Sequence, residues 1–428
     1  MAPPKGGYAP NLDKFLDSLK GPVDTSVEFL IALLKRRQIK GSEPCAVATA
    51  RILLQVVAKE KWTDVDQLIE RIRVVGTRLV AAQPRELVIG NVVKRVLRLI
   101  RDEAMEDRNE AGGDSSPASP ASMLPTPIVE SIPDVKPFRP PTLNSLGSFA
   151  RTQSMFSLLA DPDVAPPLWS NGTTPAAASG TSTPLSRTAL SQATNISALR
   201  SEVIDGIEEI MDEIKQVDDQ VQTYADIIIH PGNYILVYQP SRTVQKFLTR
   251  CKRKFNVLLV VDPSTATSTE DLYASFRKSL VAGGSTVVKV MNTGLMAYMP
   301  RVNKVILEAR AITATGEVVV DSGAASIARA ARQQGRTVIV VGGVYKLSPD
   351  SQANQTIEWG DPSKYVNFSD GQMVGHVKVK NAVSESVPEA DTYLTNLGAN
   401  SKEYLHVIIE DHYKEEDIGL DLYGTIRK

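Results

Sequence analysis

Apolar residues recur every three or four positions through the first hundred residues. Leu12, Phe15, Leu16 and Leu19 share one face, and Gly21-Pro22 ends that helix. Val27, Leu30, Ile31 and Leu34 stripe a second helix. It closes on Lys35-Arg36-Arg37 and Gly41, cations that suit a helix C-terminus. A third helix starts near Pro44 and holds Ala46, Ala50, Leu53, Leu54 and Val57; a fourth holds Val65, Leu68, Ile69, Ile72, Val75 and Leu79. Pro84 stands where a first helical residue is expected, ahead of Leu87, Val88, Val92, Val96 and Ile100. No strand pattern interrupts the series, so residues 1–108 read as a helical bundle domain.

The pattern then fails. Residues 109–195 are dense in Ser, Pro, Ala, Thr and Gly, as in Gly112-Gly113-Asp114-Ser115-Ser116-Pro117. Such a segment buries too little apolar surface to offset the entropy of ordering it, and reads as a disordered linker. Ser154-Met155-Phe156-Ser157-Leu158-Leu159 is an apolar island inside it, either incidental or a short docking element.

From residue 196 the pattern changes again. Ile196, Leu199, Val203, Ile207, Ile210, Ile214, Val217 and Val221 predict one long amphipathic helix, for core packing or for subunit contact. Strands and helices then alternate: a strand at Tyr234–Tyr238, a helix from Thr243 to Lys252, a strand at Asn256–Val261, a helix from Glu270 to Ala282, a strand at Thr286–Val290. Arg301 to Pro349 reads strand, glycine turn, helix, strand, a βαβ unit. A last helix over Lys402–Tyr413 runs into an acidic tail, Glu415-Glu416-Asp417. Near-continuous β-branched runs separated by helices indicate a parallel sheet covered on both faces. The fold class is α/β, with a helical bundle domain followed by a Rossmann-like domain over 196–428.

Composition narrows the function only by exclusion. The net charge of −1 argues against whole-molecule attraction to nucleic acid or membrane. Net charges of +4, −1 and −4 over 1–110, 111–195 and 196–428 give the helical part a weak basic bias. Cys45 and Cys251 form no CxxC pair, so neither a disulfide framework nor a zinc site is indicated. The start carries no signal core and no apolar run spans a bilayer, so the expected location is the cytoplasm.

Candidate chemistry is sparse. Gln239-Pro240-Ser241-Arg242-Thr243 leads from a strand into a helix N-terminus, a natural anion site, although Ser241 also suits capping. Neither GxGxxG nor GxxxxGK[ST] occurs. The loops around the Arg301–Pro349 unit present Ala309, Arg310, Val320 and Asp321, which contain no nucleophile and general base. His406 and His412 are six apart and diverge on their helix. Cys251 lies beside Arg250, Lys252 and Arg253, cations able to lower a thiol pKa, though a plain helical cysteine is the simpler reading. Lys94, Arg95, Arg98 and Arg101 predict a positive helix face without aromatic interleaving: solvated, or a contact for an acidic or phosphorylated protein surface.

Several segments together resemble one family. They include Leu30–Gln38 with Gly41, Lys61-Trp62, Ala81-Ala82-Gln83-Pro84 through Gly90–Leu97, Ser241-Arg242-Thr243-Val244 and Arg253-Lys254-Phe255. Arg301–Ile306, Lys346-Leu347-Ser348-Pro349 and Asn396-Leu397-Gly398-Ala399-Asn400 complete the set. The chain resembles the regulatory subunits of eukaryotic translation initiation factor 2B, most closely the beta type. That family shares its fold with isomerases of methylthioribose 1-phosphate and ribose 1,5-bisphosphate. Their catalytic cysteine would fall in the loop Tyr238–Arg242, which has none. Their catalytic aspartate would fall at Glu308-Ala309-Arg310, and their Asn-Lys pair at Val320-Asp321.

The resemblance implies a non-catalytic regulatory and assembly subunit without a cofactor. Its partners would be the delta subunit first, then alpha, gamma and epsilon, in a decameric exchange factor for initiation factor 2. The core would sense phosphorylation of the alpha subunit of factor 2 during stress. Lys94, Arg95, Arg98 and Arg101 are candidate contacts to factor 2, and Ser241, Arg242, Arg310 and Asp321 candidate remnants of the isomerase pocket. An active sugar-phosphate isomerase, or a sensor that keeps the pocket and not the reaction, is the alternative.

Overall fold

A computed structural model describes residues 12–112, 185–261, 273–350, 358–359, 380–381, 384–388, 390–420 and 422. The island Ser154–Leu159 and most of the segment expected as a linker lie outside them. The first part is all helical, as the periodicity predicts: α1 (Leu12–Asp17), α2 (Val23–Lys35), α3 (Ser42–Lys59), α4 (Val65–Ala82) and α5 (Leu87–Gly112). Pro84 stands in a turn rather than at the first helical position; α5 begins three residues later. Gly76 lets α4 approach α5 closely, since a Cβ there would lie 2.6 Å from Cγ1 of Val93.

The long helix α6 (Leu185–Val221) begins eleven residues before the expected boundary at 196, so part of the presumed linker is helix. Next come α7 (Ala225–Ile228), β1 (Tyr234–Tyr238), α8 (Arg242–Arg250), β2 (Asn256–Val261), α9 (Ala274–Ala282), β3 (Thr286–Met291) and α10 (Leu295–Tyr298). They are followed by β4 (Lys304–Glu308), β5 (Ala311–Thr313), β6 (Val318–Asp321), α11 (Ala324–Gln333), β7 (Thr337–Val341) and β8 (Leu347–Ser348). The chain finishes with β9 (Glu358–Trp359), β10 (Lys380–Asn381), β11 (Ser384–Val387), β12 (Thr392–Thr395), β13 (Gly398–Asn400), α12 (Leu405–His412) and α13 (Glu415–Ile418).

Seven strands form the main sheet in the order β13-β12-β7-β4-β1-β2-β3. All neighbours are parallel except β12 and β13. The strand order reverses between β1 and β4, the point at which open α/β sheets bind ligands. The unit read as strand, glycine turn, helix, strand holds more than the sequence indicated. β4, α11 and β7 make the βαβ crossover, but Gly316 turns an antiparallel β5–β6 hairpin between them. That hairpin belongs to a second sheet, β11-β6-β5-β8.

Strand alternation divides the interior. Ile235 and Val237 of β1 join an apolar cluster that includes Val56, Leu79 and Val96 of the helical part and Val203 and Ile214 of α6. Leu236 and Tyr238 point to the other face, into a cluster with Ile327 of α11 and Ile408 of α12. The helical part and the α/β part, expected as separate domains, therefore share a continuous core within one compact unit. Among the described residues no helix is long and apolar enough to cross a membrane.

Candidate functional site

The C-terminal ends of β1, β4 and β7 open toward the N-terminus of α3 and the α4–α5 link. Charged side chains gather there. Gln239 leaves β1 with a positive φ of 39°, and Ser241 caps α8 by accepting from the Val244 amide at 3.4 Å. Arg242 stands in the first turn of α8, and its charge acts on Glu43 at the start of α3. Thr243 and Lys246 of the same helix hold Asp218 of α6 at 2.6 Å and 3.2 Å.

Two ion-pair systems occupy the centre. Lys346 donates to Glu308 at 2.8 Å and is buried beneath the turn after β7. Burial works against its charge, but Glu308, with smaller help from Tyr345 and Glu86, holds the ammonium above its ordinary pKa. Arg310 pairs with Asp321 and reaches Glu86 at 3.3 Å. Burial pushes the Glu86 carboxyl up, against the opposing pull of Arg310 and Lys346. Burial also pushes the Tyr345 hydroxyl up to about 12. The Ser42 hydroxyl donates to the Arg310 carbonyl at 3.4 Å, and Asn91 Nδ2 donates to the Tyr345 carbonyl at 3.2 Å. The helical part thus supplies groups that close over the sheet.

Of the four expected pocket residues, Arg310 and Asp321 meet directly, because β4 and the β5–β6 hairpin bring them together across eleven positions. Ser241 is engaged in capping. Nothing in the sequence pattern marks Glu43, Glu86 or Lys346 as site residues. Glu86 lies in the segment Ala81–Leu97 that carried the resemblance, but nothing local shows that it faces a strand end 224 residues later.

The four cations of α5 do not form the open positive face the sequence suggested. Lys94 is buried and donates to Asp350 at 2.8 Å. Arg95 donates to Glu213 of α6 at 2.6 Å, with only a tenth of its side chain exposed. Arg101 pairs with Glu416 and, at 3.1 Å, with the fully buried Asp417. Arg98 pairs with Asp102 at 3.2 Å and donates to the Glu410 carbonyl at 3.1 Å. The expected acidic tail is therefore a docked helical turn, α13. The face is closed because each cation finds a carboxylate of the same chain, from four to 316 positions away. Arg98 also lines an open groove of about 470 Å³ with Asp102, Glu213 and His412.

Of the two histidines of the last helix, His406 is exposed and His412 is partly buried. His412 Nδ1 contacts the Ile408 carbonyl at 2.7 Å, and burial, then Arg95, pushes its pKa down. Burial raises the Cys251 thiol, reinforced by Asp226, rather than activating it. Among the described residues no group of three or more His, Cys, Asp or Glu could hold a metal.

Comparison with known proteins bears on this arrangement. The initiation factor 2 subunit family model matches residues 38–402. The Schizosaccharomyces pombe translation initiation factor eIF2B subunit beta is 31% identical over 403 residues, 92% of this chain and 96% of that one. A crystal structure of eIF2B beta from Chaetomium thermophilum superposes with a TM-score of 0.64 at 36% identity, covering 96% of this chain and 98% of that one. A chain of the tetrameric eIF2B-beta2-delta2 complex from the same organism matches with the same TM-score and identity, covering 94% of this chain and all of that one.

Proposed function

The chain belongs to the initiation factor 2 subunit family, and from that membership we propose that it is a beta-type regulatory and assembly subunit of the guanine nucleotide exchange factor for translation initiation factor 2. The observation that carries this reading is agreement along nearly the whole chain with eIF2B beta subunits at 31% and 36% identity. The C. thermophilum beta2-delta2 tetramer supports a delta-type subunit as the first partner. Alpha, gamma and epsilon subunits complete a cytoplasmic decamer, in which exchange chemistry belongs to epsilon. The alpha–beta–delta core senses phosphorylation of factor 2 alpha in the stress response.

The polar cluster at the strand ends supports a scaffold rather than an enzyme. The loop Tyr238–Arg242 holds no thiol, Glu308 is engaged by Lys346, and Asp321 by Arg310. Exposed Arg242 at a helix start beside this cluster favours, as a second reading, a sensor that binds a sugar phosphate without converting it. A rise in melting temperature with ribose 1,5-bisphosphate tests that reading. For the proposed contact with factor 2, Arg98 is the most accessible of the four α5 cations and the candidate these exposures favour.

The test is gentle affinity purification of the tagged full-length chain from its own cytosol. Companion subunits including a delta type are expected, with factor 2 lost at high salt. A homodimer alone that converts ribose 1,5-bisphosphate overturns the proposal.

A further inference from the structure

Exposed apolar side chains are unevenly placed. Among the described residues eleven large ones lie in solvent, and five of them, Val281, Val288, Met291, Met296 and Tyr298, fall within 18 positions. They belong to α9, β3 and α10. β3 is an outer strand of the main sheet, paired with β2 over Thr286–Met291. No described strand pairs with its other side. A free sheet edge presents amides and carbonyls to which another strand can add. Beside it an open groove of about 500 Å³ is lined by Ala274, Arg277, Lys278, Val281, Ala282 and Val287.

Charge identifies the occupant. From Tyr273 to Leu307 the chain carries five Lys or Arg and no Asp or Glu. Arg277 and Lys278 line the groove, and Lys289 lies in β3; all three are exposed. A second copy placed edge to edge would set cation against cation, which disfavours self-pairing. Blunting the edge would need only the charges. It leaves unexplained why Val281, Val288 and Met291 stand in water among them; apolar surface rimmed by charge marks a contact.

We propose that the β3 edge and the α9 groove bind an extended, acidic segment of a different polypeptide. That segment adds to the sheet beside β3. Its apolar residues cover Val288 and Met291, and its carboxylates meet Arg277, Lys278 and Lys289. The inference rests on the reading of the chain as an assembly subunit only in requiring that a second polypeptide be present.

The test uses the complex purified through the full-length chain. A photo-crosslinking amino acid replaces Val288, with exposed Val74 of α4 as the control position. A crosslink from 288, absent from 74, to an Asp- or Glu-containing segment of another subunit is expected. Lys278→Glu with Lys289→Glu should lower its yield about tenfold, with the melting temperature of the complex unchanged. A crosslink to a second copy, to this chain itself or to a segment without carboxylates overturns the proposal. So does no crosslink, or a yield indifferent to the charge reversals. The subunit composition recovered with the unsubstituted chain tests the assembly reading separately.

Discussion

Lys94 Nζ lies 2.8 Å from the Asp350 carboxylate, a bond between α5 and the end of the Arg301–Pro349 unit across 256 positions. The two ends are unequally buried: Lys94 is enclosed, whereas a quarter of the Asp350 side chain meets solvent. Asp350→Ala strands a buried ammonium and should cost ~3 kcal/mol. Lys94→Met leaves a carboxylate that water can reach and should cost less, ~1–2 kcal/mol. The double variant should resemble Lys94→Met alone. Denaturant unfolding of the four proteins checks this, and additive losses would contradict it.

Gly323 starts α11 at a φ of +95°, and a Cβ there would collide with the Tyr238 hydroxyl, which donates to the Ser322 carbonyl at 2.6 Å. Gly323→Ala should destabilise the chain by about 2 kcal/mol or more, through strain and the collision together. Tyr238→Phe should recover part of that loss in the Gly323→Ala background while costing stability in the parent. Thermal melts of the pair measure the coupling.

Gly76→Ala should cost about 1–3 kcal/mol by driving α4 away from Val93. Val93→Ala in the same chain should restore part of it. Two independent penalties would mean that the contact between the helices is not what Gly76 serves.

His412 is held neutral by burial and by Arg95 and Arg98, against a favourable contact with the Ile408 carbonyl and the charge of Glu213. Its folded pKa lies below the ordinary value, so its stability contribution is present above about pH 6.5. As pH falls, the unfolded chain takes up the proton first, and stability drops until the folded pKa is passed. His412→Asn should flatten the stability profile from about pH 6.5 downward. Urea midpoints at a series of pH values read the difference.

Arg98→Gln should weaken binding to factor 2 about tenfold with only a small fall in melting temperature, because its own-chain partners are half-exposed groups and no carboxylate is set beside Asp102. Unchanged binding would remove Arg98 from that contact.

Local information was legible in this sequence and long-range pairing was not. The stripes of α2 to α5 and the β-branched runs of β1, β2 and β7 announced themselves, because a 3.6 or 2 residue period is a property of neighbours. The β5–β6 hairpin was hidden because Ala311–Thr313 and Val318–Asp321 are short and flank a glycine turn already assigned to the crossover. The charge of the α5 face and of the acidic end is legible locally; that Lys94 and Asp417 are buried while Glu415 and Glu416 stay exposed is not. Arg101 and Asp417 are 316 positions apart, and only the fold brings them to 3.1 Å. For the same reason Glu86 was invisible as the partner of Arg310.

The shared core also sets a schedule for synthesis. Residues 12–112 leave the ribosome long before the strands that cover them, and Arg101 precedes Asp417 by 316 residues. At roughly 5–20 residues per second, Arg101 waits about 15–60 s for that partner, and the apolar faces wait until α6 and β1 emerge. A nascent chain in that condition is a client for chaperones, and a ribosome stalled before residue 350 holds an aggregation-prone fragment rather than a finished domain.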